Sequence, residues 1–267
     1  MTSLAPLTVG DLALAGIFVL ANGALSLVFG LGIERRLMVA TLRMVAQLAA
    51  IGAILHLVFQ QSSPVWTALL AAIMVGVAGW ESVSRQTYRF KGMGALALGS
   101  VTLLAVGLIS TLYVTAAVLG AEPWHAPRIF LPIFGMVLGN ALTAVALVLE
   151  TLTTAAKGER AGIEARLAMG HSPRAAFEGI VRRALTTALM PMVNAMAVCG
   201  VVTLPGMMTG QILSGVDPVE AAKYQIMIMF VIAGSSALAA AAAAFGSVSL
   251  ITDERSRLRL DRTAARP

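Results

Sequence analysis

Seven segments of this chain are long and apolar enough to cross a lipid bilayer. A spanning helix needs about 20 apolar residues, because only a helix satisfies its own backbone hydrogen bonds in hydrocarbon. The segments are 9–31, 37–59, 65–81, 93–119, 128–150, 184–203 and 219–250. With 58% hydrophobic and only 12% charged residues, the chain is more apolar than a soluble domain. The sequence therefore predicts an all-α polytopic membrane protein with about seven transmembrane helices, forming one transmembrane domain over residues 1–267.

The basic residues are distributed unevenly between the connections. Sixteen of the 19 Lys and Arg residues follow spans one, three and five or lie in the C-terminal tail. Arg128 and Lys223 lie on the opposite side, and Arg43 falls within span two. Loops rich in Lys and Arg stay in the cytoplasm. We therefore expect the N-terminus outside and the C-terminus in the cytoplasm. The net charge of +6 then reflects topology and not a nucleic-acid partner.

The longest internal connection, residues 151–183, has the pattern of two cytoplasmic helices and not of a flexible linker. Helix formers run from Glu159 to Met169, and Gly170 suits the position just after a helix. Ser172 can cap a second helix that has Pro173 as its first residue. The first helix has polar sides with apolar residues between them, which suits docking in a groove on a partner. Its apolar residues are Ile163, Leu167 and Met169.

The same connection resembles the loop by which permeases of bacterial ABC transporters contact their ATPase. That loop reads Glu-Ala-Ala, three residues, Gly, nine residues, Ile and then Leu-Pro. Here Glu164, Ala165, Gly170 and Ile180 fall at the corresponding places, while Arg166 replaces the second Ala and the Leu-Pro is absent. The resemblance implies an ATPase-coupling role for these residues and for Leu167. The sequence has no GxxxxGK[ST] phosphate loop, so ATP and Mg²⁺ are expected on a separate partner chain.

The connection between the last two spans, residues 204–218, is rich in Gly and Pro. Pro205 and Gly206 are expected to stop span six. Asp217 is predicted to cap span seven, with Glu220 closing a capping box. Between these ends we expect irregular backbone at the extracytoplasmic side, which membranes tolerate only where it is buried in protein or lines a watery cavity.

Polar and sulfur-containing side chains in and near the spans are the candidates for a transport path. In the 204–218 bend they are Met207, Met208, Thr209 and Gln211. The two methionines are either packing residues or soft metal ligands. In the spans the candidates are Arg43, Gln47, Asn140, Glu150 and Gln225. A charge at membrane depth should face protein or water, although Arg43 can also reach the surface and Glu150 can be an interfacial acid.

The whole chain resembles the FetB-like iron-export permeases of bacterial ABC transporters, which are relatives of plant aluminium-tolerance permeases. The resemblance rests on RMVAQL at 43–48, on GMVLGN at 135–140 and above all on LPGMMTGQILSGVDPVEAAKYQIMIMF at 204–230. It implies a homodimeric permease of the bacterial inner membrane that exports a metal ion, with iron as the expected metal. It also implies a cytosolic FetA-like ABC ATPase as the partner, and no cofactor bound by this chain.

Three rival functions remain at this stage. An ABC importer would have the opposite direction of transport. A self-contained channel or secondary carrier would not need a docking helix and would keep more ionisable residues at mid-membrane. A membrane enzyme is disfavoured because the sequence has neither an HExxH motif nor an obvious pair of intramembrane acids.

Overall fold

A computed structural model describes residues 8–61, 63–84, 86–90 and 93–265 of the chain. Within these residues the fold is helical apart from two short strands. The helices are α1 (Val9–Val28), α2 (Glu34–Gln61), α3 (Pro64–Ser84), α4 (Gly94–Leu112), α5 (Pro127–Gly158), α6 (Arg160–Ala168), α7 (Pro173–Val198), α8 (Gly206–Leu213) and α9 (Pro218–Ile251). A π-helical segment, Tyr113–Val118, continues α4, and a 3₁₀ turn, Leu260–Arg262, precedes the second strand.

Six of the described helices are long and apolar enough to cross a membrane: α1 to α5 and α9. The predicted span at 184–203 lies mostly in the second half of α7, which ends at Val198. The first half of α7 carries Arg174, Glu178, Arg182 and Arg183, so the helix as a whole is less apolar than the others. The polytopic membrane fold is confirmed, with six candidate spans where the sequence pattern suggested about seven.

The chain divides into two compact units, residues 1–62 and residues 63–267. The first unit is the helical hairpin of α1 and α2. Thr8 and Asp11 form a reciprocal capping box at the start of α1, and Gly30 takes a positive φ of 61° in the turn. Ser26 is buried there and donates a hydrogen bond to the Glu34 carboxylate at 2.9 Å, which ties the two helices together.

The second unit is built around α5, which packs against α3, α4, α7 and α9. Its buried residues recur every three or four positions, as one face of a helix requires. The fully buried ones are Phe134, Val137, Ala141, Val145, Val148, Leu149, Leu152 and Ala156. Helix α5 therefore lies in the middle of this bundle because it has a continuous apolar face.

Small residues allow three helices of this unit to approach closely. A Cβ added to Gly79 in α3 would lie 1.9 Å from the Ser100 hydroxyl oxygen of α4, and one added to Gly246 in α9 would lie 2.4 Å from Leu98. In α9 the alanines at 239, 240, 243 and 244 are fully buried. The Ala-rich part of this helix therefore packs within the chain.

Two three-residue strands, which the sequence analysis did not predict, join the α3–α4 connection to the C-terminal tail. Strand β1 (Tyr88–Phe90) pairs antiparallel with β2 (Thr263–Ala265). Strands this short show no alternation that a sequence pattern can detect, and the two are far apart in the chain.

Candidate functional site

The turn after α6 has the geometry that the sequence predicted. Helix α6 ends in a Schellman motif, in which the Gly170 N–H donates to the Leu167 carbonyl at 3.0 Å and the His171 N–H donates to the Arg166 carbonyl at 3.1 Å. Gly170 has a φ of +87°, a conformation that glycine adopts without steric cost. The Ser172 hydroxyl then accepts a hydrogen bond from the Ala175 N–H, and Pro173 begins α7. Both helix ends are confirmed.

Helix α6 has one face against the bundle and one face exposed. Ile163 is 2% exposed and Leu167 is half-buried. The sequence suggested that Ile163 would be available to a partner, but it is buried against the bundle. Glu164 and Ala165 are exposed, and Met169 is 70% exposed. The exposed edge of α6 therefore includes Glu164, Ala165 and Met169. We call this edge with the Gly170 turn the docking segment, after the role that the sequence predicts for it.

Hydrogen bonds fix α6 onto α7. Arg166, the residue that departs from the permease loop pattern, donates from its guanidinium to the Ala176 carbonyl at 3.2 Å. Arg183 pairs with Glu159, and Arg160 pairs with Glu164 at 2.8 Å within α6. Ile180 is buried on α7. The docking segment is thus held as a rigid corner of the second unit and not as a loose loop.

The C-terminal tail, which the sequence analysis treated only as a charged topology signal, is ordered beside this corner. Arg262 donates to the carbonyls of Leu250 and Thr252 at 3.0 and 3.3 Å, so it satisfies the end of α9. Paired hydrogen bonds from the Arg259 guanidinium lower the pKa of Asp261 to about 2. A cavity of about 760 Å³ lies between the start of α7 and this tail. Its lining includes Ser172, Arg174, Ser249, Asp253, Arg255 and Arg262.

Glu150 lies at the same end of the bundle. Its carboxylate accepts hydrogen bonds from the Thr87 backbone N–H at 2.7 Å and from the Thr154 hydroxyl at 3.3 Å. The Lys157 ammonium lies 3.7 Å from the centre of the Tyr88 ring. These contacts anchor the α3–α4 connection on α5. We call this part of the second unit, with the docking segment and the tail, the basic end.

The other end of the bundle holds the 204–218 stretch, and here the predicted irregular backbone is wrong. Helix α7 ends at Val198, earlier than expected, and Pro205 is the N-cap of α8 instead of the residue that stops α7. Residues 206–213 are helical although Gly210 lies inside the helix. A helical Gly costs only about 1 kcal/mol relative to Ala, and packing of α8 on α9 outweighs it. Gly215, with a φ of +95°, provides the turn into α9.

Asp217 caps α9 as predicted, with its carboxylate accepting from the Val219 and Glu220 N–H groups at 2.9 and 3.3 Å. The predicted closing of a capping box by Glu220 is not what the structure has. The Glu220 carboxylate pairs instead with Lys223 at 2.7 Å. An exposed i,i+3 cation competes successfully for this carboxylate.

The end of the second unit that holds α8, which we call the α8 end, contains a methionine-rich cluster. Val114, Ile133, Val137, Ile228 and Ile232 form a buried apolar core that joins α5, α9 and the π-helical segment. Four half-buried methionines, one each from α5, α7, α8 and α9, pack against it: Met136, Met192, Met207 and Met227. The two methionines of the 204–218 stretch therefore have different surroundings: Met207 packs against this cluster, whereas Met208 is not part of it.

The remaining path candidates belong to the first unit or make local contacts within their own segments. Arg43 and Gln47 belong to the first unit and have exposed side chains. Asn140 is exposed on α5 and donates to the Met136 carbonyl at 2.8 Å. The Thr209 hydroxyl donates to the Leu204 carbonyl at 3.4 Å. The described residues include no group of three or more His, Cys, Asp or Glu side chains that could hold a metal ion.

Gln211 and Gln225 are the path candidates with unusual surroundings. The side-chain carbonyl oxygen of each is buried and has no hydrogen-bond partner. Gln225 is 6% exposed, on the face of α9 that also carries Ile228 and Ile232. The sequence marked both residues as polar but could not show that their oxygens lack partners.

Six candidate membrane spans define a polytopic α-helical membrane protein. The match of residues 9–251 to the model described as "Uncharacterised protein family (UPF0014)" narrows this class. The chain belongs to the UPF0014 family, and the resemblance to FetB-like permeases is confirmed.

Curated relatives extend over most of the chain. It is 33% identical over 230 residues to the UPF0014 membrane protein YjkA of Bacillus subtilis, covering 85% of this chain and 89% of that protein. It is 32% identical over 228 residues to the probable iron export permease protein FetB of Escherichia coli, covering 85% of this chain and 86% of FetB. It is 32% identical over 229 residues to the protein ALUMINUM SENSITIVE 3 of Arabidopsis thaliana, covering 84% and 80%. No solved structure matches the chain.

Proposed function

We propose that this chain is the membrane-spanning permease subunit of an ATP-driven ABC transporter that exports a metal ion, with iron as the first candidate. The docking segment is the observation that carries the proposal. It presents Glu164 and Ala165 on an exposed edge, next to a glycine turn that fixes its direction, and is bonded to the bundle through Arg166. The printed name of the E. coli relative, a probable iron export permease, supports the substrate.

In this proposal α7 is a seventh crossing. Contacts at both ends of the second unit support it. The start of α7 lies beside the end of α9 at the basic end, and Met192 in the last part of α7 packs against the cluster that contains Ile228 of α9. Helix α7 therefore runs antiparallel to α9 along much of its length. Seven crossings leave the N-terminus outside and the basic end, with the C-terminus, in the cytoplasm.

The mechanism follows from this placement. A cytosolic ABC ATPase, with its own ATP and Mg²⁺, binds the docking segment of each of two permease copies in the bacterial inner membrane. Closure of the ATPases moves α6, and the bonds of Arg166 and Arg183 transmit the motion to α7 and thus to the α8 end. Such coupling requires that the ATPase bind the two permease states unequally. An importer remains the second candidate, because the docking segment alone serves either direction.

The export function predicts a change in cellular iron. After an iron load, cells that lack the gene should retain more iron than the parent strain, and cells that express the chain with its ATPase should retain less. Inductively coupled plasma mass spectrometry of washed cells measures this. A deletion strain that retains less iron than its parent would favour import, and equal iron in all strains would contradict iron transport.

The topology prediction follows from the basic residues. An alkaline phosphatase fusion, which is active only outside the cytoplasm, should be inactive after residue 267 and active when inserted near Glu122 in the α4–α5 connection. A green fluorescent protein fusion should give the reverse pattern. Activity of phosphatase at the C-terminus would invert the assignment of the docking segment to the cytoplasm.

A further inference from the structure

The least expected polar groups in the second unit are two glutamines at the α8 end. Gln225 is 94% buried, yet its side-chain oxygen accepts no hydrogen bond, and the side-chain oxygen of Gln211 is likewise buried without a donor. The great majority of buried amide oxygens accept a hydrogen bond, because burial removes their hydrogen bonds to water and a missing replacement destabilises the fold. Two in one place require a reason.

Helix geometry places the two amides on neighbouring helices at one end of the bundle. Gln211 lies four residues after Met207, so both side chains share one face of α8. Met207 packs on the cluster that contains Ile228, and Gln225 lies one turn before Ile228 on the same buried face of α9. Helices α8 and α9 pack together, so the three side chains belong to neighbouring helices at this end of the bundle.

These groups have the chemistry of a transient cation site. Amide oxygens are hard ligands that bind divalent cations, and a thioether adds a soft ligand for a transition metal. All three are neutral, so they can replace part of a cation's hydration shell without holding it by opposite charge. Weak, exchangeable binding of this kind suits a cation in transit.

We propose that the side-chain oxygens of Gln211 and Gln225, with the Met207 sulfur, bind a divalent transition-metal cation on its way past the α8 end. This inference rests on the proposed function and adds the ligands to it. The unpartnered oxygens are then the groups that receive the cation.

Binding of Co²⁺ to the purified permease in detergent, without any ATPase, tests the site directly by equilibrium dialysis and visible absorption. We expect Gln211→Leu and Gln225→Leu, which remove a ligand atom without adding another, to weaken Co²⁺ binding by about tenfold or more. Gln225→Glu should strengthen it by about tenfold or more and slow transport, because a carboxylate adds a Coulomb attraction that delays release. Gln86→Leu is the matched control, since Gln86 is also fully buried with an unpartnered oxygen but lies near the basic end.

Thermal unfolding separates loss of ligands from loss of fold. Gln225→Leu removes an unmet polar atom, so its melting temperature should stay equal to that of the wild type or rise. Unchanged Co²⁺ binding in both Leu variants, or equal weakening in Gln86→Leu, would overturn the site while leaving the proposed export function intact. Wild-type binding that the Leu variants lose, together with no metal transport in vesicles, would leave the site standing and reject the export function instead.

Discussion

Valine in place of Gly170, or lysine in place of Glu164, is expected to lower ATP-driven metal transport by about tenfold or more while the chain stays folded in the membrane. Gly170 has a φ of +87°, which costs a residue with a Cβ roughly 1–2 kcal/mol and more when the side chain is β-branched. An added Cβ would meet no atom within 4 Å, so the substitution causes no steric clash with the bundle. We expect the backbone strain to be relieved by a local reorientation of α6. The docking segment should then no longer fit the proposed ATPase, although the bundle keeps its packing.

The Glu164→Lys change acts on the surface of the docking segment. The carboxylate is exposed, and its hydrogen bond from Arg160 is a surface i,i+4 pair worth about 0.2–0.5 kcal/mol, so its loss does not unfold α6. In proteoliposomes that contain both subunits, metal-stimulated ATP hydrolysis and metal transport should each fall by about tenfold or more, which corresponds to about 1.4 kcal/mol of lost interaction.

Gly179→Val is the matched control for Gly170→Val. Gly179 is exposed on α7, has ordinary helical backbone, and would place its Cβ within 4 Å of no atom. This variant should keep nearly all of the coupled activity. Full coupled activity in both Gly170→Val and Glu164→Lys would remove the docking role from α6.

A second large effect is expected at the contact between α3 and α4. A Cβ on Gly79 would lie 1.9 Å from the Ser100 hydroxyl oxygen and 3.2 Å from the Ser100 Cα, so rotation of the serine alone does not make room for valine. The helices must separate, and overpacking of this kind costs about 1–3 kcal/mol or more. Because a fold of this size is stable by only about 5–15 kcal/mol, Gly79→Val should lower both the yield and the melting temperature markedly.

Gly76→Val provides the comparison for that experiment. Gly76 lies three residues earlier on α3, is exposed, and has no atom within 4 Å of an added Cβ. Size-exclusion chromatography and a thermal melt in detergent should show Gly76→Val close to the wild type. Equal melting temperatures for the two valine variants would mean that α3 and α4 are not packed as closely as the structure has them.

The helix ends were predictable because they depend on local chemistry. Ser172, Gly170 and Asp217 have the roles that their positions in the sequence indicated, since caps and left-handed turns involve groups only a few residues apart. The membrane character was equally clear, because the composition of a long apolar segment does not depend on its neighbours.

Features that depend on distant residues were not predictable in this way. Three glycines in the 204–218 stretch favoured an irregular bend, but packing against α9 makes most of it helical. Ile163 looked available for docking, and only the position of α6 on the bundle shows that it is buried. The unpartnered oxygens of Gln211 and Gln225 likewise follow from which helices meet, and a sequence carries no local sign of that.

Transport into inside-out membrane vesicles tests the central claim most directly. Such vesicles are prepared from cells that express the chain with its ATPase. Their cytoplasmic face points outward, so added ATP reaches the ATPase. The account predicts that ⁵⁵Fe²⁺ accumulates inside them only when hydrolysable ATP is present, and that Glu164→Lys vesicles accumulate about tenfold less or lower still. Accumulation that is independent of ATP would identify a channel or carrier, and ATP-driven uptake by right-side-out vesicles alone would identify an importer; either result would contradict the account.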